Sequence, residues 1–119
     1  MIKFKDWFIL LENRLVMEMA NLQTIETGLV SIVFVSTRGK AKHGPRIKVS
    51  NIAGRMHPDD NFTVTVDPNP RVIGKCKLKN SQLDDIIDWV ILNRTHLEKI
   101  WREGDTMTGQ ELYGGFTKL

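Results

Sequence analysis

Arg38, Lys40, Lys42, His43, Arg46 and Lys48 fall within eleven consecutive residues that contain no carboxylate. The basic groups are interleaved with Gly39 and the Gly44-Pro45 pair. Such a segment can grip an oxyanion, because guanidinium groups bind phosphate bidentately and glycine-punctuated backbone brings N–H groups close to it. The segment belongs to a longer stretch between Glu26 and Asp59 that has no acidic residue and adds Arg55 and His57. That stretch carries six Lys or Arg, whereas the remainder of the chain has 11 against 14 Asp and Glu. The formal net charge of +3 thus conceals a local concentration of positive charge. Cations held together repel one another, and a bound anion relieves that repulsion.

The elements that must position these groups follow from hydrophobic periodicity. Residues 4–22 read as an amphipathic helix, with Phe4, Trp7, Phe8, Leu11, Leu15, Met19 and Leu22 at steps of three and four. Leu29 to Val35 is rich in β-branched residues and nearly continuously apolar, as expected of a central strand buried on both faces. Thr37 to Pro45 reads as a loop. Arg46 to Ser50 alternates, so Arg46, Lys48 and Ser50 leave the face opposite Ile47 and Val49. A second loop spans Asn51 to Asp60.

Phe62 to Val66 is a further alternating strand, joined through the Asp67-Pro68-Asn69-Pro70 turn to a strand over Arg71–Leu78. In that last strand Arg71, Lys75 and Lys77 share a face with Ile73. Ser81 with Asp84, and Thr95 with Glu98, resemble capping boxes of two successive helices broken near Asn93 and Arg94. Leu83, Ile86, Ile87, Trp89, Val90 and Ile91 form the apolar face of the first, and Leu97, Ile100 and Trp101 that of the second. The second stops at Gly104.

The expected fold is α+β: an N-terminal helix, a four-stranded mainly antiparallel sheet, and a C-terminal helix or helix pair packed on one sheet face. Residues 1–104 form a single domain in this reading, and 105–119 an irregular tail.

Other residue types also admit plainer roles. His43 and His57, with Arg38, Arg46 and Arg55, are the parts from which a small toxin-like ribonuclease is built: a general acid–base near neutral pKa and cations for a developing phosphorane. Sequence spacing does not fix their mutual geometry. His57, Asp59 and Asp60 lie close together, but neither a Cys/His pair spacing nor a helical His-x₃-His is present, so no metal site is expected. Trp7, Trp89 and Trp101 lie at helical spacing among apolar residues and are assigned to the core, as are Phe34 and Phe62. No phosphate-loop, dinucleotide or serine-nucleophile motif occurs, and no cofactor is expected.

At 119 residues with 41% hydrophobic content, the chain suffices for one hydrophobic core without staples. Cys76 is the only cysteine, which excludes an intrachain disulfide and fits a reducing compartment. The apolar run Trp7–Leu11 lies between Asp6 and Glu12 and is shorter than a secretory h-region or a membrane span. A cytoplasmic protein with no membrane partner is expected.

His43-Gly44-Pro45-Arg46-Ile47-Lys48-Val49, the Phe62–Gly74 hairpin and the Asp88-Trp89…Asn93…Leu97…Trp101 helices together resemble an uncharacterised family of small phage and prophage proteins. They are also distantly similar to a bacterial domain of unknown function that has Pro-Pro-His-Phe-His-Val at this strand. The resemblance covers about residues 28–103. It implies a mobile-element accessory protein acting on host machinery or host defence. Arg46 and Lys48 stand where that bacterial domain has its two histidines, which removes the basis for carrying over histidine chemistry or metal binding.

The leading expectation is a non-enzymatic binding protein that uses Arg38, Lys40, Lys42, His43, Arg46 and Lys48 to hold a phosphate-bearing partner. That partner is nucleic acid, a nucleotide signal or a host protein complex. The alternatives are a small ribonuclease and a self-assembling homo-oligomer in which the basic segment meets the acidic C-terminal helix of a neighbouring copy.

Overall fold

The computed structural model describes residues 19–38, 41–53 and 60–119. Within them an antiparallel sheet runs in simple sequence order: β1 (Met19–Leu22), β2 (Val33–Ser36), β3 (Arg46–Ser50), β4 (Asn61–Thr65) and β5 (Val72–Ile73). Two helices follow, α2 (Asn80–Leu92) and α3 (Arg94–Glu103), after a single helical turn, α1 (Thr24–Thr27), between β1 and β2. A 3₁₀ turn (Gly104–Thr106) and a short helix α4 (Gly109–Gly114) complete the chain. The fold class is α+β. None of the described helices is long and apolar enough to cross a membrane.

The core lies between one sheet face and the helices. Leu22, Val33, Val35, Ile47, Val49, Phe62 and Val64 from the sheet form one buried cluster with Ile86, Trp89, Val90, Leu97 and Ile100 from α2 and α3. The strand period of two and the helix period of 3.6 place these residues on facing surfaces. The register confirms the alignment: Val33 opposes Val49, Val35 opposes Ile47, and Ile47 opposes Val64. In α2 the buried stripe is Ile86, Trp89 and Val90, with Leu83 and Ile87 partly buried against the core. Ile91, expected on that stripe, is one residue further round the helix and is half-exposed.

Several boundaries differ from the periodicity. Most of the helix expected over 4–22 lies outside the described residues, but its final four residues are β1, paired with β2 through Leu22↔Val33 and Met19↔Ser36. The sheet therefore has five strands, because ladder hydrogen bonds to β2 and burial of Leu22 override the helical propensity of Met19, Ala20 and Leu22. The strand expected over 29–35 is confined to Val33–Ser36. Leu29 to Ile32 leads in from α1, whose end is made by Gly28 in the left-handed region at φ 81°. Lys79 and Gln82 cap α2 instead of Ser81 and Asp84, with Gln82 Oε1 accepting from the Lys79 N–H at 3.0 Å.

β5 holds only Val72 and Ile73 of the strand expected over Arg71–Leu78. Beyond it the chain leaves the ladder and is held by a side chain. Asn51 Nδ2 donates to the Lys75 carbonyl and Asn51 Oδ1 accepts from the Lys77 N–H, at 3.0 and 2.7 Å.

Asn93 makes the break between α2 and α3. Its Nδ2 donates to the carbonyls of Trp89 and Thr117, and its Oδ1 accepts from the Thr117 N–H. Residues 105–119, expected to be an irregular tail, are therefore bound to the helical layer. Phe116 stacks on Trp89 with ring centroids 5.4 Å apart, and the Leu119 N–H donates to the Thr27 carbonyl at 2.9 Å.

Candidate functional site

The basic loop is anchored at the C-terminal end of α3. Trp101 is in the last turn of α3, where carbonyls lack helical partners, and its carbonyl accepts from the Arg38 N–H at 2.9 Å. Thr37, buried, donates its hydroxyl to Asp105 Oδ1 at 3.0 Å. Gly104 permits this approach, because a Cβ there would collide with the Thr37 methyl. Beyond Arg38 a turn is closed by Ala41 N–H to the Arg38 carbonyl, and the His43 ring lies 5.4 Å from the Trp101 ring.

This anchoring divides the cationic cluster. Lys40 lies outside the described residues. Arg38, Lys42 and His43 are exposed in the loop, and its contacts run to α3, on the helical side of the sheet. His43 Nδ1 is 2.8 Å from the Gly44 carbonyl, which can only accept, so Nδ1 is the donor in this bond. Arg46 and Lys48 leave the opposite sheet face, because they alternate with buried Ile47 and Val49. Arg55 and His57 are outside the described residues, and so is Asp59. Asp60 is ion-paired with Lys77 at 3.0 Å. Among the described residues no group of three or more His, Cys, Asp or Glu is arranged to hold a metal ion.

At the start of β3 a half-open recess of about 150 Å³ is lined by Gly44, Pro45, Arg46, Thr65, Val66, Asp67 and Arg71. Three backbone and side-chain bonds shape it. The Val66 N–H donates to the Pro45 carbonyl, the Thr65 N–H to the Arg71 carbonyl, and the Arg71 N–H to Thr65 Oγ1 at 2.8 Å. Arg46 and Thr65 are register partners, so Arg46, Thr65 and Arg71 form one row across β3, β4 and the start of the β5 segment. Asp67 Oδ1 accepts from the Asn69 N–H at 2.9 Å, which fixes the turn that carries Arg71 back to the sheet. Neither Arg46 nor Arg71 is ion-paired among the described residues. Two guanidiniums against one carboxylate suit the recess to a small oxyanion.

Of the residues expected from sequence, Arg46 alone lines the recess, and Lys48 lies one step along the same strand face. Arg71 and Thr65 were not anticipated as site residues. The signal for them was present in the Asp67–Pro70 turn, since a hairpin there must return Arg71 beside the end of β4. Trp101, Gly104 and Asp105, which position the loop, had no such local signal.

Phe34 also departs from expectation. It is half-buried on the face opposite Val33 and Val35, so β2 is fully covered on one face only. Phe62, Trp89 and Trp101 are buried as anticipated.

No protein-family model matches the chain, and neither a curated protein nor a solved structure matches it.

Proposed function

We propose that the chain is a binding protein that holds a phosphate-bearing partner on its polar sheet face, around the recess between Arg46 and Arg71. The observation that carries this reading is the convergence of two arginines, distant in sequence and free of ion pairs among the described residues, on one recess beside a Gly-Pro turn. Lys48 extends the positive surface along β3 by about 7 Å, two strand residues. The resemblance to small phage and prophage proteins supports a mobile-element accessory role, with nucleic acid or a nucleic-acid-bound host complex as the partner.

Inorganic polyphosphate isolates the phosphate contribution from that of any base or protein surface. Calorimetric titration is expected to show binding that weakens as salt rises. Arg46→Ala combined with Arg71→Ala is expected to lower affinity about tenfold or more, because two charge-assisted contacts are lost. Both side chains reach solvent, so the thermal midpoint should barely move. Absence of polyphosphate binding, or an affinity unchanged in the double variant, overturns the reading.

A further inference from the structure

The sheet presents an aromatic ring away from the core. Phe34 alternates with Val33 and Val35, and its register partner on β3 is Lys48, which in turn opposes Thr63 on β4. Directly opposed residues in an antiparallel pair have Cβ atoms about 5 Å apart. Phe34 and Lys48 are therefore immediate neighbours. Arg46 follows on the same face two residues along β3, and the Arg46–Arg71 recess adjoins it.

A ring only partly buried on one strand, with two cations about 7 Å apart on the next, matches the chemistry of one nucleic-acid strand. Unpaired bases stack on aromatic side chains while their phosphates follow a cationic track. Charge favours the same ligand. The recess carries one net positive charge, from two guanidiniums and Asp67, which matches the single negative charge of a phosphodiester better than the double charge of a terminal phosphate. In a duplex the base faces are occupied by their neighbours and are not available to Phe34.

We propose that this sheet face binds single-stranded nucleic acid, with a base stacked on Phe34 and the backbone held by Lys48 and the Arg46–Arg71 recess. The proposal rests on the phosphate-binding reading above and adds the class of ligand. The test uses the full chain and short single-stranded RNA and DNA carrying 2-aminopurine, a duplex of equal length, and inorganic polyphosphate. Single strands are expected to bind more tightly than the duplex and to quench 2-aminopurine on binding. Phe34→Ala is expected to weaken single-strand binding about 5- to 100-fold and to abolish the added quenching, the scale of one lost base–aromatic stack. Its polyphosphate affinity should stay within about twofold of the parent, since that ligand has no base to stack.

If Phe34→Ala fails to fold, Phe34→Leu decides the matter, because it keeps apolar volume and removes the flat ring. Single-strand affinity retained in the folded variant, or duplex bound as tightly as single strands, overturns the proposal and assigns Phe34 to packing within the chain. Polyphosphate binding that survives such a result leaves the phosphate reading standing. Loss of polyphosphate binding as well removes both.

Discussion

Thr37 and Gly104 show how one missing methyl decides the position of the basic loop. Gly104 has an ordinary helical φ of −56°, where replacement by alanine would normally stabilise by about 0.4–1 kcal/mol through the unfolded chain. Here the added Cβ meets the Thr37 methyl and lies 3.2 Å from Ile100 Cγ2. Overpacking of this kind costs about 1–3 kcal/mol and outweighs the entropic gain. Gly104→Ala is therefore expected to lower the urea midpoint and to raise amide exchange at Arg38, whose N–H bonds the adjacent Trp101 carbonyl. A raised midpoint would show that Thr37 moves aside at little cost. The residue scale is also where sequence reading was most selective: it identified Arg46 and Lys48 by alternation, and it had no means of seeing that Gly104 faces Thr37.

At the scale of elements, α4 depends on a reciprocal cap. The Thr108 N–H donates to Glu111 Oε1 at 2.9 Å, and the Glu111 N–H donates to Thr108 Oγ1 at 3.1 Å. The Thr108 backbone N–H, then its side chain, hold the Glu111 carboxyl below the ordinary glutamate value of 4.5. A carboxylate whose pKa is depressed by folding stabilises the folded state above its unfolded value, and that contribution is lost as pH falls through the folded pKa. Protection of the α4 amides should thus decline below about pH 4.5. Glu111→Gln keeps an acceptor at the same place and should flatten that pH dependence, as read by hydrogen exchange. An unchanged pH profile in the variant would mean that the acid sensitivity of α4 arises elsewhere. Helices α2 and α3 were legible because their stripes are local in sequence. The capping residues were less so, since several polar residues near Lys79 compete for that role.

The whole molecule is closed by its C-terminal segment. Phe116 stacks on Trp89, which has no exposed surface, and the ring of His96 meets Phe116 edge-on at 4.7 Å while His96 Nε2 donates to the Leu112 carbonyl. Phe116 is only partly buried, so truncation should cost less than for a fully buried ring. Phe116→Ala is expected to destabilise by about 1–3 kcal/mol and to reduce the near-ultraviolet dichroism of the tryptophans. Polyphosphate affinity should remain unchanged, because the recess and Lys48 lie on the sheet face away from this packing. A parallel loss of affinity would tie closure of the helical layer to the site.

Sequence by itself determined the strand identity of 46–50 and of most of 62–66, the helix pair broken at Asn93, and the positive charge of residues 38–48. Those properties follow from side-chain periods and turn residues within a few positions of one another. Tertiary structure alone decided that residues 19–22 add a strand, that Phe34 lies outside the core, and that the cationic cluster divides between loop and sheet. It also decided that Arg71 joins Arg46 and that residues 105–119 dock on Asn93 and Trp89. The physical reason is common to all five: a period shows which residues share a face, but only the elements that arrive from elsewhere in the chain determine which face is covered.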